Sequence, residues 1–260
     1  MDCIINNRFY RRVSGVIIPV FTYSGTFTTI DDGNNNWRIK FLTSGDLIFS
    51  DLGSAIYGID IFMVGGGSAS GKYWSNEYYG HGGSGGFTKT VKNKTVKRNT
   101  TYSIVIGAGG VVQNCAFEMG QATTGFGETV EGGTMVAGGS GGAAYENRPD
   151  GYSGGSDGAD GGGNPAYTAG QWTWASRGKG QGTTTREFGE PDGDLYAGGG
   201  GAGASGGSTG GAGGGGNGGT QNTAPGKGLA NTGGGGGGFY INHPYGDGGS
   251  GILIIRNKRS

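Results

Sequence analysis

Proline, cysteine, histidine and charge are all scarce in this chain, and each scarcity removes a class of protein. Only 6 of 260 residues are proline, which rules out a collagen helix despite abundant glycine, because that helix needs strict triplets rich in proline. Cysteine is limited to Cys3 and Cys115, a spacing that makes neither a CxxC metal motif nor a disulfide framework. Charged residues are 15% of the total, with 19 basic against 19 acidic, so no long-range field draws the protein to nucleic acid or to an anionic membrane. The two histidines, His81 and His243, stand in no Ser/His/Asp, HExxH or GxSxG arrangement, and the expectation is no enzyme and no cofactor. The apolar stretch from Val16 to Phe21 is short and interrupted by Pro19. It is neither a leader nor a span, and no membrane insertion is expected.

Glycine fills the gap, with 67 residues distributed unevenly: 6 in residues 1–60, 15 in 61–130 and 46 in 131–260. Each glycine loses about 0.5–1 kcal/mol more on ordering than alanine, so disorder is the default that a fold must overcome. Against disorder stand 13 Tyr, 11 Phe and 4 Trp with zero net charge, unlike a charged, aromatic-poor disordered chain. The first half reads as strands, with Val16–Tyr23, Phe27–Ile30, Trp37–Leu42, Leu47–Ser50, Ile59–Val64, Gly86–Val91 and Thr101–Ile106 rich in β-branched and aromatic residues. Asp31 to Asn36 and Thr43 to Asp46 supply turn chemistry that tolerates left-handed backbone. A last strand, Ile252–Ile255, needs partners and is expected to return to the N-terminal sheet. The predicted organisation is a β-rich region over 1–130, a glycine body over 131–251 and a closing strand within 252–260.

The glycine body has a period. Between Gly198 and Gly219, every third position from 198 is glycine in seven of eight cases, with Ala204 the exception. A three-residue repeat without proline fits extended polyglycine II helices, whose three faces recur every third residue. Such a helix has no internal hydrogen bonds, so its N–H and C=O groups need partners in neighbouring helices, and side-chain-free faces allow that approach. The fold class expected is therefore mainly β: an N-terminal β-sandwich-like region plus a polyglycine II bundle closed by a C-terminal strand.

Large side chains of the second half fall between glycine runs. The candidates for a binding surface are Tyr73, Trp74, Tyr145, Tyr152, Tyr167, Trp172, Trp174, Phe188, Tyr196, Tyr240 and Tyr245, since aromatic loop residues on a rigid scaffold give large contact area at low entropy cost. Trp172 and Trp174, two apart, share one side of an extended segment and would form a stacking platform. Their competing reading is a cap that shields the bundle's ends from water. Other motifs are incomplete. Gly178-Lys179 and Gly226-Lys227 lack the Ser/Thr of a phosphate loop. The acidic turn at Asp31 lacks a distant bidentate Glu for calcium, and no metal site is expected.

Four anchors in order resemble the glycine-rich domain of bacteriophage and prophage tail proteins: Trp37-Arg38-Ile39-Lys40-Phe41-Leu42-Thr43-Ser44-Gly45, Gly58 to Gly67, Thr101 to Gly110, and Gly248 to Arg256. Glycine runs alternating with aromatic loops also resemble, in design, the tip adhesins of T-even-type long tail fibres, in which a polyglycine II sandwich presents variable loops. The resemblance implies a receptor-binding virion protein at the tail tip, assembled in the bacterial cytoplasm. Its implied partners are a host surface receptor, either an outer-membrane protein or a surface glycan, and other tail proteins. The alternative is a structural tail or cell-surface glycine-rich protein whose aromatics serve cohesion. An ice-binding protein would need one flat face of small residues, and an RNA-binding protein RGG repeats and basic charge.

Overall fold

A computed structural model describes residues 3–5, 8–10, 12–13, 16–72, 80–113, 116–144, 151–163, 178–241 and 244–259. Eight strands build its firm end: β1 (Val20–Tyr23), β2 (Phe27–Gly33), β3 (Asn36–Phe41), β4 (Gly45–Asp51), β5 (Ile59–Val64), β6 (Thr88–Lys94), β7 (Thr101–Ile104) and, from the far end of the chain, β8 (Ile252–Asn257). They form a five-stranded antiparallel sheet in the order β6-β5-β8-β3-β2 and a three-stranded sheet β7-β4-β1. The hairpin between β2 and β3 turns through Asn34 and Asn35, both left-handed at φ 49° and 64°, a backbone that asparagine tolerates. The C-terminal strand sits in the middle of the larger sheet, with Ile254 opposite Phe62 on one side and Lys40 on the other.

Period-two burial places the core. On β3, Trp37, Ile39 and Phe41 point inward and join Phe21, Leu47, Phe49, Ile61, Met63, Leu253 and Ile255 between the two sheets. β5 and β8 are buried at every position because the larger sheet is covered twice. Its second face, carrying Phe62, Val64, Ile252 and Ile254, packs against Phe188, Tyr196 and Ala197. That double cover explains the uninterrupted apolar runs of these two strands.

The glycine body begins where β5 ends, so it also draws on segments 65–71, 80–87 and 107–110, upstream of residue 131. Its organisation is visible in the hydrogen bonds of segment 197–204. Amides of Gly199 and Ala202 donate to the carbonyls of Gly155 and Tyr152, those of Gly200 and Gly203 to Gly83 and Gly80, and those of Gly201 and Ala204 to Gly216 and Gly219. Every third amide therefore faces the same neighbour, and three neighbours are served in rotation. Segment 80–86 repeats the rule: the amides of Gly80, Gly83 and Gly86 donate to Phe239, Gly236 and Gly233, each at 2.8 Å. This is the threefold packing of polyglycine II helices.

At most inner positions the packing admits no side chain, and the exceptions are small, such as Ala202, Ala204 and Ser84, all fully buried. A Cβ on Gly199 would lie 1.9 Å from the carbonyl oxygen of Gly141, and one on Gly235 would lie 2.0 Å from that of Gly83. The run from 198 to 219 is not one helix, however. It reverses at Ser205–Gly206 and again at 212–214, giving three passes, 197–204, 207–211 and 215–219. Thr123 fastens the body to the sandwich, its hydroxyl donating to the carbonyl of Val64 (2.7 Å) and accepting from the amide of Gly107 (2.9 Å).

Candidate functional site

The direction of the chain defines two ends of the glycine body. Segment 65–71 leaves the sandwich after β5 and segment 80–87 returns to it at β6, so Gly71 and Gly80, paired through the ladder Gly71–Lys72 with Gly80–His81, mark the end remote from the sheets. Hydrogen bonds carry this layer across the body. Gly80 N–H reaches Phe239 (2.8 Å), Gly203 N–H reaches Gly80 (3.0 Å), Ala202 N–H reaches Tyr152 (3.0 Å), and Gly219 N–H reaches Gly238 (2.8 Å). Gly82 N–H binds Ala143 (3.0 Å), Ala144 N–H binds Gly162 (2.9 Å), and Gly161 N–H binds Gly178 (3.0 Å). The residues that flank segments 73–79, 145–150, 164–177 and 242–243 thus share one end of the body.

The described surface at this end is made of hydroxyls, amides and rings. Ser153 and Thr209 hydroxyls pair at 2.8 Å, and Thr220 and Thr223 pair at 2.7 Å across a turn in which Thr220 Oγ1 also accepts the amides of Asn222 and Thr223. Such side-chain-to-backbone bonds fix the tip of a tight turn. Half-buried Tyr245 stands edge-on to the Phe239 ring, with centroids 4.5 Å apart. Loss of water around the partly buried His81 ring pushes its pKa down to about 4.

The opposite end holds a charged cleft of about 410 Å³, lined by Asp32, Arg38, Glu187, Glu190, Arg256 and Arg259 among others. Its geometry is that of a clamp. Glu187, 2% exposed, receives Arg38 at 2.6 Å, Lys40 at 3.1 Å and the Tyr196 hydroxyl at 3.1 Å. Arg256 binds Asp60 at 3.2 Å and Glu190 at 2.7 Å while its guanidinium lies 4.0 Å from the centre of the Phe188 ring. Burial opposes the Lys40 charge, but the Tyr196 hydroxyl and the Glu187 carboxylate outweigh it and hold its pKa above the ordinary value. Burial, reinforced by Glu187, raises Tyr196 to about 12. Every cation here is already engaged by carboxylates, so the cleft binds segment 185–196 to the outer face of the sheet. Among the described residues, no group of three or more His, Cys, Asp or Glu is placed to hold a metal ion.

The eleven aromatic candidates divide accordingly. Tyr152 and Tyr245 lie at the loop-bearing end and are partly exposed. Tyr240 lies there too but is only 8% exposed, so it supports the end without presenting a ring. Phe188 and Tyr196 are corrected to core residues: at 4% and 5% exposure they pack on Phe62 at the sandwich, with ring centroids 5.9 and 5.3 Å away. A surface role fails for both because the sheet's second face needed an apolar cover. Tyr73, Trp74, Tyr145, Tyr167, Trp172 and Trp174 lie outside the described residues.

Sequence reasoning missed the clamp. Its signal was Arg38 and Lys40, two apart on one side of a strand whose other side is Trp37, Ile39 and Phe41; cations on that face call for a buried acid. The hydroxyl-rich turns 204–210 and 219–226 were also missed, hidden inside glycine runs. In comparison with known proteins, the family described as glycine-rich domain matches residues 44–258. No curated protein matches the chain.

Proposed function

The chain belongs to the glycine-rich domain family, and from that premise we propose that it is a bacteriophage tail adhesin that recognises a receptor on the host cell surface. The carrying observation is that the described residues flanking four segments, 73–79, 145–150, 164–177 and 242–243, share one end of the body while the sheets lie at the other. By sequence these segments hold Tyr73, Trp74, Tyr145, Tyr167, Trp172 and Trp174, and Tyr152 and Tyr245 belong to the described surface of that end. The likeness of the four sequence anchors to phage tail proteins supports the virion setting, a tail-tip location and other tail proteins as partners.

In this reading the protein acts by recognition and not by catalysis. A backbone lattice fixes the spacing of segment ends, so the sequence between them can change without rebuilding the body. A rigid platform lowers the ordering cost of binding, and several copies on one particle would add weak contacts. The sandwich end, where the N-terminal strands gather, faces the particle.

The test is binding of the purified, labelled protein to a panel of bacterial strains, with competition against phage adsorption. A Trp172→Ala/Trp174→Ala variant, shown folded by its thermal transition, runs in parallel. Strain-restricted binding that blocks adsorption and falls in the variant supports the adhesin. A folded protein that binds no strain at any valency leaves the structural tail role instead.

A further inference from the structure

One flank of the glycine body exposes apolar side chains in threefold register. In the segment that runs on from β7, Ile104, Gly107 and Gly110 are buried while Val105, Ala108 and Val111 are exposed, Val105 to 47% and Val111 to 37%. At about 3.1 Å of rise per residue this makes a straight ridge with a side chain about every 9 Å. Beside the ridge runs segment 246–251, whose Gly248 and Gly251 amides donate to the carbonyls of Gly110 (2.8 Å) and Gly107 (2.9 Å). Half-buried Gly248 and Ser250 face outward there, so a groove floored by small residues lies next to the ridge. Beyond the groove, Gly228 N–H binds the Asp247 carbonyl (2.8 Å), and Leu229, 63% exposed, follows. Charged side chains mark the two borders of the flank. Exposed Glu118 stands on the ridge side, where Gln121 N–H binds the Ala108 carbonyl (2.8 Å). Lys227, its side chain 73% exposed and paired with Asp247 at 2.8 Å, stands on the groove side.

We propose that this flank is a two-fold interface between two copies of the chain, with the axis running along the glycine helices. Contiguous exposed apolar surface marks an association site, and a ridge beside a groove makes this one complementary to itself. Rotation about an axis between them lays Val105, Ala108 and Val111 of each copy on the Gly248 and Ser250 groove of the other, an isologous arrangement. The groove admits the ridge because its floor is glycine and serine, and the three-residue repeat on both sides shares one pitch. The same rotation brings the Lys227 border of one copy toward the Glu118 border of the other, so opposite charges meet twice and select the pairing more than they strengthen it. A net charge of zero leaves no long-range repulsion between copies. With the axis along the helices both copies turn their loop-bearing ends the same way, and the inference stands apart from what those ends bind.

Sedimentation equilibrium of the purified full-length chain, over about 1–100 μM protein, reads the assembly. The expected result is a monomer–dimer equilibrium. Val111→Asp sets a charge on the ridge and should weaken the dimer at least about tenfold, with Ala108→Asp as a second variant on the same ridge and thermal transitions to show that each is folded. Ile56→Asp, at an apolar residue 61% exposed on the sandwich away from the flank, should leave the dimer within about twofold of its strength. Lys227→Glu should weaken association, and Glu118→Lys added to it should restore part of the loss. A monomer at every concentration overturns the proposal, as does a dimer that both folded ridge variants leave intact or that Ile56→Asp weakens equally. Masses that climb beyond the dimer overturn the two-fold arrangement, and a double variant that recovers nothing overturns the pairing of the borders.

Discussion

The sandwich and the glycine body solve the same problem with opposite materials. In the sandwich, side chains such as Trp37, Phe41 and Phe49 fill the space between sheets, and backbone pairing is confined to ladders. In the glycine body most positions between neighbours have no room for a methyl group, only a few buried Ala and Ser such as Ala202 and Ser84 being admitted, and amide-to-carbonyl bonds in three directions replace most side-chain packing. The sandwich loses stability when atoms are removed; the body loses it when atoms are added.

The largest effect expected on the sandwich side comes from Phe41→Ala, fully buried, which should cost about 3–5 kcal/mol by lost burial and cavity formation. Urea denaturation measures it. The matching insult to the body is Gly235→Ala, whose methyl would meet the Gly83 carbonyl at 2.0 Å. Overpacking against fixed backbone should cost about 3 kcal/mol, although the change adds a single carbon. A cost below about 1 kcal/mol would show that the lattice yields and would erase the contrast.

The clamp joins the two materials, and Glu187→Gln should loosen it. The variant withdraws the charge that Arg38 and Lys40 share; both cations are partly exposed and keep Asp32 and Asp194 as partners. The loss is therefore set at about 2 kcal/mol, below that of a fully buried pair, again by denaturation. Acid should probe the body separately. The His81 imidazole has a folded pKa of about 4 against 6.5 unfolded, so the unfolded chain binds the proton first. Stability from this group is complete above pH 6.5 and declines as pH falls toward 4, by about 2 kcal/mol between pH 7 and 5. His81→Gln should flatten that slope in thermal melts taken across the interval.

The smallest effect belongs to Gly182→Ala. Its Cβ meets nothing within 4 Å, and only its left-handed φ of 74° opposes the change. About 1 kcal/mol is expected. The difference from Gly235→Ala separates the two uses of glycine in this chain, close approach and turn conformation.

Much of the sandwich was legible beforehand. Alternation at Trp37, Ile39 and Phe41 marked a strand with one buried face, the asparagine-rich stretch marked its hairpin, and the apolar ending Ile252–Ile255 demanded partners that β5 and β3 supply. The threefold repeat was legible too, because period depends only on which positions tolerate a side chain. Reversals within 198–219 were not. A glycine turn and a glycine helix use the same residue, so Gly206 and Gly213 carry no punctuation that a reader could separate from their neighbours. Phe188 and Tyr196 were misplaced for a different reason. Whether an aromatic beside a glycine run is buried depends on a sheet more than a hundred residues away in sequence, and local composition holds no trace of that contact. The partner acid of Arg38 and Lys40, Glu187, was hidden by the same distance.

The claim beneath all of this is that glycine here forms a solid held by its backbone. Amide hydrogen exchange reads that claim directly. The account predicts that Gly83, Gly200 and Gly236, at the centre of the threefold network, exchange within about tenfold of Ile61 and Ile254 in the sandwich, as amides opening only with the whole fold do. Exchange at those glycines near the rate of an unfolded chain, while the sandwich remains protected, would contradict it.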